Sequence, residues 1–85
     1  MADAKMLEAV VNAIRAEVER TQKVAIHADT RLVEDLDLDS IDIVGITMRL
    51  EDRFRVSIDV QEIKGFRSVG DLVVQVDRLL GKSAA

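Results

Sequence analysis

The apolar residues near the start of the chain constrain its fold most, because they fall on one face of a helix. Leu7, Val10, Val11, Ile14 and Val18 recur at spacings of three and four, the signature of an amphipathic helix. Lys5, Glu8, Asn12, Arg15 and Glu19 fall largely on the other side. Neither glycine nor proline interrupts the stretch, so the spacing predicts a helix over 4–20.

Three more segments read as helical. A second helix is expected from Ser40 to about Phe54, capped by Asp39 or Ser40 through their affinity for free backbone N–H groups. Its inner face is read as Ile41, Val44, Met48 (or Thr47), Leu50 or Glu51, and Phe54. Asp42 stands in its first turn, where the helix dipole favours an acid. Asp59 with Glu62 has the spacing of a capping box and opens a short third helix over 60–65, ended by Gly65. Ser68 with Asp71 repeats that signal before Val69, Leu72, Val73, Val76, Leu79 and Leu80. This predicts a fourth helix over 69–80, stopped by Gly81 and preferred over a strand despite Val73-Val74. Residues 21–38 read as a long connection whose apolar residues, Val24, Ile26, Leu32, Val33 and Leu36, tie it onto the core. The expected architecture is all-α: a small bundle of three main helices plus one short helix, with a long loop between helices 1 and 2. Phe54 and Phe66, the only aromatic residues, are assigned to the core. The 85 residues suit a single domain, ordered over about 4–81, with a disordered tail from Lys82 to Ala85.

Composition narrows the chemistry. There is no cysteine, hence no disulfide framework and no thiolate metal site. Any thioester chemistry would need a sulfur from a prosthetic group. Although 48% of residues are apolar, no run approaches a membrane span. Met1-Ala2-Asp3-Ala4-Lys5 lacks the pattern of a signal peptide, so a cytoplasmic protein, not integral to the membrane, is the default. The net charge of −4 is uneven: from Glu34 to Arg53 seven acids face two bases, giving −5, and the remainder is +1. Such a stretch disfavours nucleic acid and steers basic partners to itself.

Ser40 stands at the predicted loop-to-helix junction among these acids. His27, the one histidine, has nothing to place it nearby, so Ser40 lacks the base an activated nucleophile needs. It suits modification by another enzyme instead. A phosphodiester there would meet the free N–H groups of a helix N-terminus. Taken alone, Ser40 reads first as a plain N-cap.

The run Glu34-Asp35-Leu36-Asp37-Leu38-Asp39-Ser40-Ile41-Asp42 resembles the attachment motif of acyl carrier proteins. The likeness extends from about Thr30 to Gly81 through Leu32-Val33, Met48, Leu50-Glu51-Asp52, Phe54, Val56-Ser57-Ile58 and Ser68-Val69. It implies that Ser40 carries phosphopantetheine, added from coenzyme A by a phosphopantetheinyl transferase, and that the arm holds acyl groups as thioesters. Asp39 and Asp42 would help position the transferase and the arm. Glu34, Asp35, Asp37, Ile41, Gly45, Met48, Arg49 and Asp52 would meet partner enzymes of ketosynthase, acyltransferase or acyl-ligase type in fatty-acid, polyketide or related lipid synthesis. Val44, Met48, Leu50, Phe54, Ile58, Ile63 and Leu72, with Ile41 beside them, would be core first and line an acyl cavity when a chain is bound. Such a carrier is a monomer with no catalytic residues of its own.

The sequence departs from the family pattern in places. Asp37 stands where glycine is usual, Gly45 where the helix face usually bears an acid, and Asp59 where proline is frequent. Arg49, Arg53 and Arg55 add positive charge. These departures suggest a dedicated carrier of a specialised pathway, which binding to a fatty-acid ketosynthase as tight as a housekeeping carrier's would contradict. An aminoacyl or peptidyl carrier and an unmodified helical interaction domain are the alternatives. Asp35-x-Asp37-x-Asp39 matches the start of a calcium loop, but Ser40 and Ile46 stand where that loop needs glycine and glutamate. His27 is read as a solvated loop residue.

Overall fold

A computed structural model describes residues 4–84, the last three by their backbone alone. In chain order the elements are α1 (Ala4–Glu17), a 3-10 turn (Glu19–Lys23), α2 (Ser40–Phe54), α3 (Val60–Ile63) and α4 (Val69–Ala84). The fold is helical, as expected, with one isolated backbone bridge between Arg31 and Ser68 among the described residues.

α1 ends at Glu17 and not at Arg20. Val18 leaves the helix for an extended conformation. The freed carbonyls past this break find a partner in Arg15, whose guanidinium donates to the Thr21, Gln22 and Val24 carbonyls at 2.8, 2.7 and 3.1 Å. A basic side chain in the last turn of α1 thus ties down the turn that follows, while the α1 carbonyls of Ile14 and Arg15 accept from Val18 N–H and the Gln22 amide.

The core is one cluster. Val10 and Ile14 of α1, Ile43, Ile46 and Leu50 of α2, and Leu72, Val73 and Val76 of α4 meet at its centre. Helix α1 packs on both α2 and α4. From the long loop, Ile26, Leu32, Leu36 and Leu38 are buried, while Val24 and Val33, read as part of the same anchorage, are exposed. Phe54 and Phe66 pack half-buried against the cluster. Buried Thr21 and Thr47 donate to the carbonyls three residues earlier, and buried Gln75 donates to Glu62.

Backbone hydrogen bonds stitch the long loop to the start of α4. Leu32 N–H donates to Arg67 O at 2.8 Å, Val69 N–H to Thr30 O at 2.9 Å, and Gly70 N–H to Ala28 O at 2.7 Å. This last approach is close: a Cβ at position 70 would lie 2.9 Å from the Ala28 carbonyl oxygen. Ser68 and Asp71 form the reciprocal cap expected of them, Asp71 N–H donating to Ser68 Oγ and the Asp71 carboxylate accepting from Ser68 N–H.

Two helix ends differ from expectation. α3 stops at Ile63, two residues early; Asp59 caps it by accepting from Gln61 N–H at 2.8 Å, but the expected box with Glu62 does not form, because the Glu62 carboxylate accepts from Gln75 of α4 instead. α4 continues through Gly81 to Ala84, so the stop at 80 and the disordered tail give way to helix. Glycine weakens a helix by only about 1 kcal/mol relative to alanine, and nothing lies near Gly81 to force the chain away. The readings of Met1–Asp3 and of Ala85 lie outside the described residues.

The inner face of α2 is corrected. Its buried residues are Ile43, Ile46, Thr47 and Leu50. Ile41, Val44 and Met48, read as the inner stripe, point outward, Ile41 at 80% and Met48 at 61% exposure. The helix carries two apolar stripes at helical spacing, and periodicity alone does not say which one meets the core.

Candidate functional site at the start of helix α2

Ser40 is the first residue of α2 and is exposed. The cap belongs to Asp39, which sits in an extended conformation and accepts from Asp42 N–H at 2.8 Å. The Asp42 carboxylate returns the bond by accepting from Asp39 N–H at 3.2 Å. This reciprocal box resolves the choice between Asp39 and Ser40 as cap. It leaves the Ser40 hydroxyl with no hydrogen bond among the described residues. The Ser40 and Ile41 N–H groups also lack acceptors there, so two free donors stand at the positive end of a 15-residue helix.

The loop leading to Ser40 is held from outside. Arg20 donates to the Leu36 carbonyl at 3.3 Å and to the Asp37 carbonyl. Its guanidinium also lies 4.0 Å from the Asp42 carboxylate. Asp37 takes a left-handed conformation, φ 54°. The preference for glycine at this place therefore has a backbone origin, and aspartate is one of the few residues that tolerates the conformation. Sequence reasoning missed Arg20 because its partners are carbonyls 16 and 17 residues away, which no local pattern reveals.

The other acids of the run do separate work. Glu34 pairs with Arg31 at 3.2 Å, and Asp35 accepts from Arg31 N–H at 2.8 Å. Asp35 and Asp39 thus spend their carboxylates on backbone N–H groups. Asp52 is exposed on the far part of α2. Gly45 and Arg49 are joined by a residue the sequence reading left out. The Glu17 carboxylate reaches from the end of α1 over Gly45, where a Cβ would stand 2.4 Å from its Oε2, and accepts from Arg49 Nε at 2.7 Å. His27 lies on the exposed loop, its backbone N–H bound to Thr30 Oγ1.

A hollow of about 340 Å³ opens beside Ser40, lined by Val33, Ile43, Val44, Val60, Ile63, Lys64 and Phe66 together with Ser40 itself. Val44 and Ile63 are the expected cavity residues found in its wall. Leu50, Ile58 and Leu72 lie in the closed core, Phe54 packs half-buried against it, and Met48 and Ile41 face outward. Val33, Val60 and Phe66 line it without having been read as cavity residues, because the long loop, the start of α3 and the connection from α3 to α4 bring them together. A second hollow of the same volume, between α3 and α4, does not reach Ser40.

These residues suit a phosphopantetheine group: an unengaged exposed hydroxyl, two free N–H donors for a phosphodiester, and an apolar recess alongside. Comparison with known proteins agrees. A family model described as a phosphopantetheine attachment site matches residues 8–74. An acyl carrier protein of Rhodococcus erythropolis is 36% identical over 56 residues, which are 66% of this chain and 62% of that protein. The meromycolate extension acyl carrier protein of Mycolicibacterium aurum is 40% identical over 47 residues, 55% of this chain and 48% of that protein. The chain thus spans about half to three-fifths of the length of these relatives. The crystal structure of an acyl carrier protein from Thermotoga maritima superposes with a TM-score of 0.75 at 25% identity, covering 96% of this chain and 98% of that one. Among the described residues no helix is long and apolar enough to cross a membrane.

Proposed function

This chain belongs to the acyl carrier protein family, whose members bear covalent phosphopantetheine and act as carriers, and on that premise we propose that Ser40 is the attachment point and that the 85 residues form one carrier domain. The observation that carries the assignment is the division of labour at the start of α2. Asp39 and Asp42 close the helix on each other, so Ser40 owes nothing to the fold and its oxygen is free to take a substituent. The arm supplies the thiol that a chain without cysteine lacks.

The chain's own residues do the rest. The Ser40 and Ile41 N–H groups meet the phosphodiester anion at the helix N-terminus. Arg20 holds the preceding loop against α2, fixing the direction in which Ser40 presents its oxygen. Val44, Ile63, Val60 and Phe66 offer an apolar wall against which cargo withdraws from water. The outward Ile41, Val44 and Met48 form an exposed apolar ridge beside Ser40, the kind of patch that marks a docking surface on a small protein. The acids Glu34, Asp35, Asp37 and Asp52 flank it and steer basic partners to it.

The cargo is an acyl chain, handled by cytoplasmic enzymes of fatty-acid, polyketide or related lipid synthesis. The meromycolate extension carrier among the relatives favours a lipid pathway. Gly45 and the Arg49–Glu17 pair, in place of an acid on the face of α2, favour a dedicated carrier over a housekeeping one.

Intact mass after incubation with coenzyme A and a broad-specificity phosphopantetheinyl transferase tests this. The parent gains one phosphopantetheine and Ser40→Ala gains none. A folded, unmodified parent that gains nothing refutes the assignment.

A further inference from the structure

We propose that the far end of α2 receives a carboxylate side chain of the partner enzyme, in a groove between α1 and α2. The inference rests on the carrier reading and names the chemistry of the partner. The groove encloses about 280 Å³ and is lined by Ala9, Asn12, Ala13, Ala16, Arg49 and Arg53. The alanines of α1 leave room above the backbone, Asn12 contributes an amide, and the lining contains two cations and no acid.

Both cations have donors to spare. Among the described residues Arg53 has no carboxylate within 4.0 Å, and its guanidinium lies over the ring of Phe54, 5.6 Å from the centroid. Arg49 gives only its Nε to Glu17. Its two terminal nitrogens have no hydrogen bond among the described residues. The Glu17 bond fixes the guanidinium beside the groove, and glycine at position 45 is what lets Glu17 reach it. Arg49 and Arg53 stand one turn apart on one helix face. A planar fork of this kind is suited to a carboxylate.

The occupant follows from charge and continuity. Arg49 follows Met48 by about 100° around the helix, so the groove flanks the exposed Ile41, Val44 and Met48 ridge on its α1 side. At the Ser40 end the surface is acidic, with Asp35, Asp37 and Asp39 exposed. Thirteen residues of helix, about 20 Å, separate Ser40 from Arg53. At the far end Asp52 is exposed as well, but on the α1 side, at the groove, the charge is that of the two arginines, so the surface is acidic around Ser40 and basic at the groove. A partner seated on it needs bases around the mouth of its active site and an acid about 20 Å away along α2. A partner whose patch is basic throughout meets Arg49 and Arg53 with like charge.

The probe is a fatty-acid ketosynthase with a wholly basic carrier-docking patch, beside a variant in which the basic residue facing the far end of α2 is replaced by glutamate. Acyl transfer from the loaded chain is measured at low salt as kcat/KM. The glutamate variant is expected to act about tenfold better on the parent chain. That gain is expected to disappear with Arg49→Ala/Arg53→Ala, confirmed folded by circular dichroism, and to survive, reduced, in Arg49→Lys/Arg53→Lys, which keeps the charge without the fork. Equal rates with both ketosynthases, or a gain that persists in the alanine variant, overturn the inference while leaving the carrier assignment intact. Failure of the transferase to load the parent overturns both.

Discussion

Helix α2 carries two apolar stripes of similar make-up and opposite fate. Ile43, Ile46 and Leu50 are buried against α1 and α4, the latter two completely. Ile41, Val44 and Met48 have the same spacing and face outward. The inner stripe contributes to stability through transfer from water and close packing. The outer one, left in water, contributes almost nothing to stability and stays available for contact. Hydrophobicity at helical spacing thus has two meanings within one 15-residue helix, and the difference is made by what lies opposite.

Truncating the inner stripe should give the largest effect. Leu50→Ala is expected to lose about 2–5 kcal/mol in urea unfolding, enough to threaten a domain of this size. Met48→Ala on the outer stripe is expected to stay within about 0.5 kcal/mol in the same experiment and to lower acyl transfer to partner enzymes. Similar losses for both would erase the distinction between the stripes. Asp39→Ala removes the cap at the head of α2 and is expected to cost about 1 kcal/mol. Ser40→Ala, which bears no hydrogen bond, is expected to be neutral in stability. A destabilised Ser40→Ala would mean that its hydroxyl does support the helix.

Smaller effects sharpen the comparison along the outer face. Asp37→Gly relieves a left-handed aspartate and is expected to stabilise by up to about 1 kcal/mol, offset in part by a freer unfolded chain. Gly45→Ala improves helix propensity by about 1 kcal/mol and displaces only the flexible end of Glu17. Combined with Glu17→Ala it is expected to be more stable than either parent or single variant, by thermal melting. If the double variant is less stable, the Glu17–Arg49 pair holds the two helices together more strongly than an exposed ion pair usually does.

Much of the architecture was legible along the chain. The caps at Asp39, Asp59 and Ser68 act as their residue types predict, since each bond spans three residues or fewer. So too the stretch around Ser40 stood out by its charge. Less visible were the contacts made over distance. Arg20 reaches carbonyls at the far end of the loop, Glu17 crosses to Arg49 over 32 residues, and the wall beside Ser40 is assembled from Val33, Val60 and Phe66 as well as Val44 and Ile63. The end of α1 at Glu17 was hidden for the same reason. Val18 continues the apolar period but leaves the helix to be buried in the core.

The sequence by itself determined that this chain is helical, where most helices begin, and that an acid-flanked serine stands at the head of one of them. These are local matters, settled by a 3.6-residue period and by side chains that reach backbone N–H groups three residues away. Only the tertiary structure decided which stripe of α2 is core and which is surface. Successive residues differ by about 100° around a helix axis, so Ile41 and Ile43 point to different sides whatever their hydrophobicity, and it is the placement of α1 and α4 that turns one of those sides into the interior.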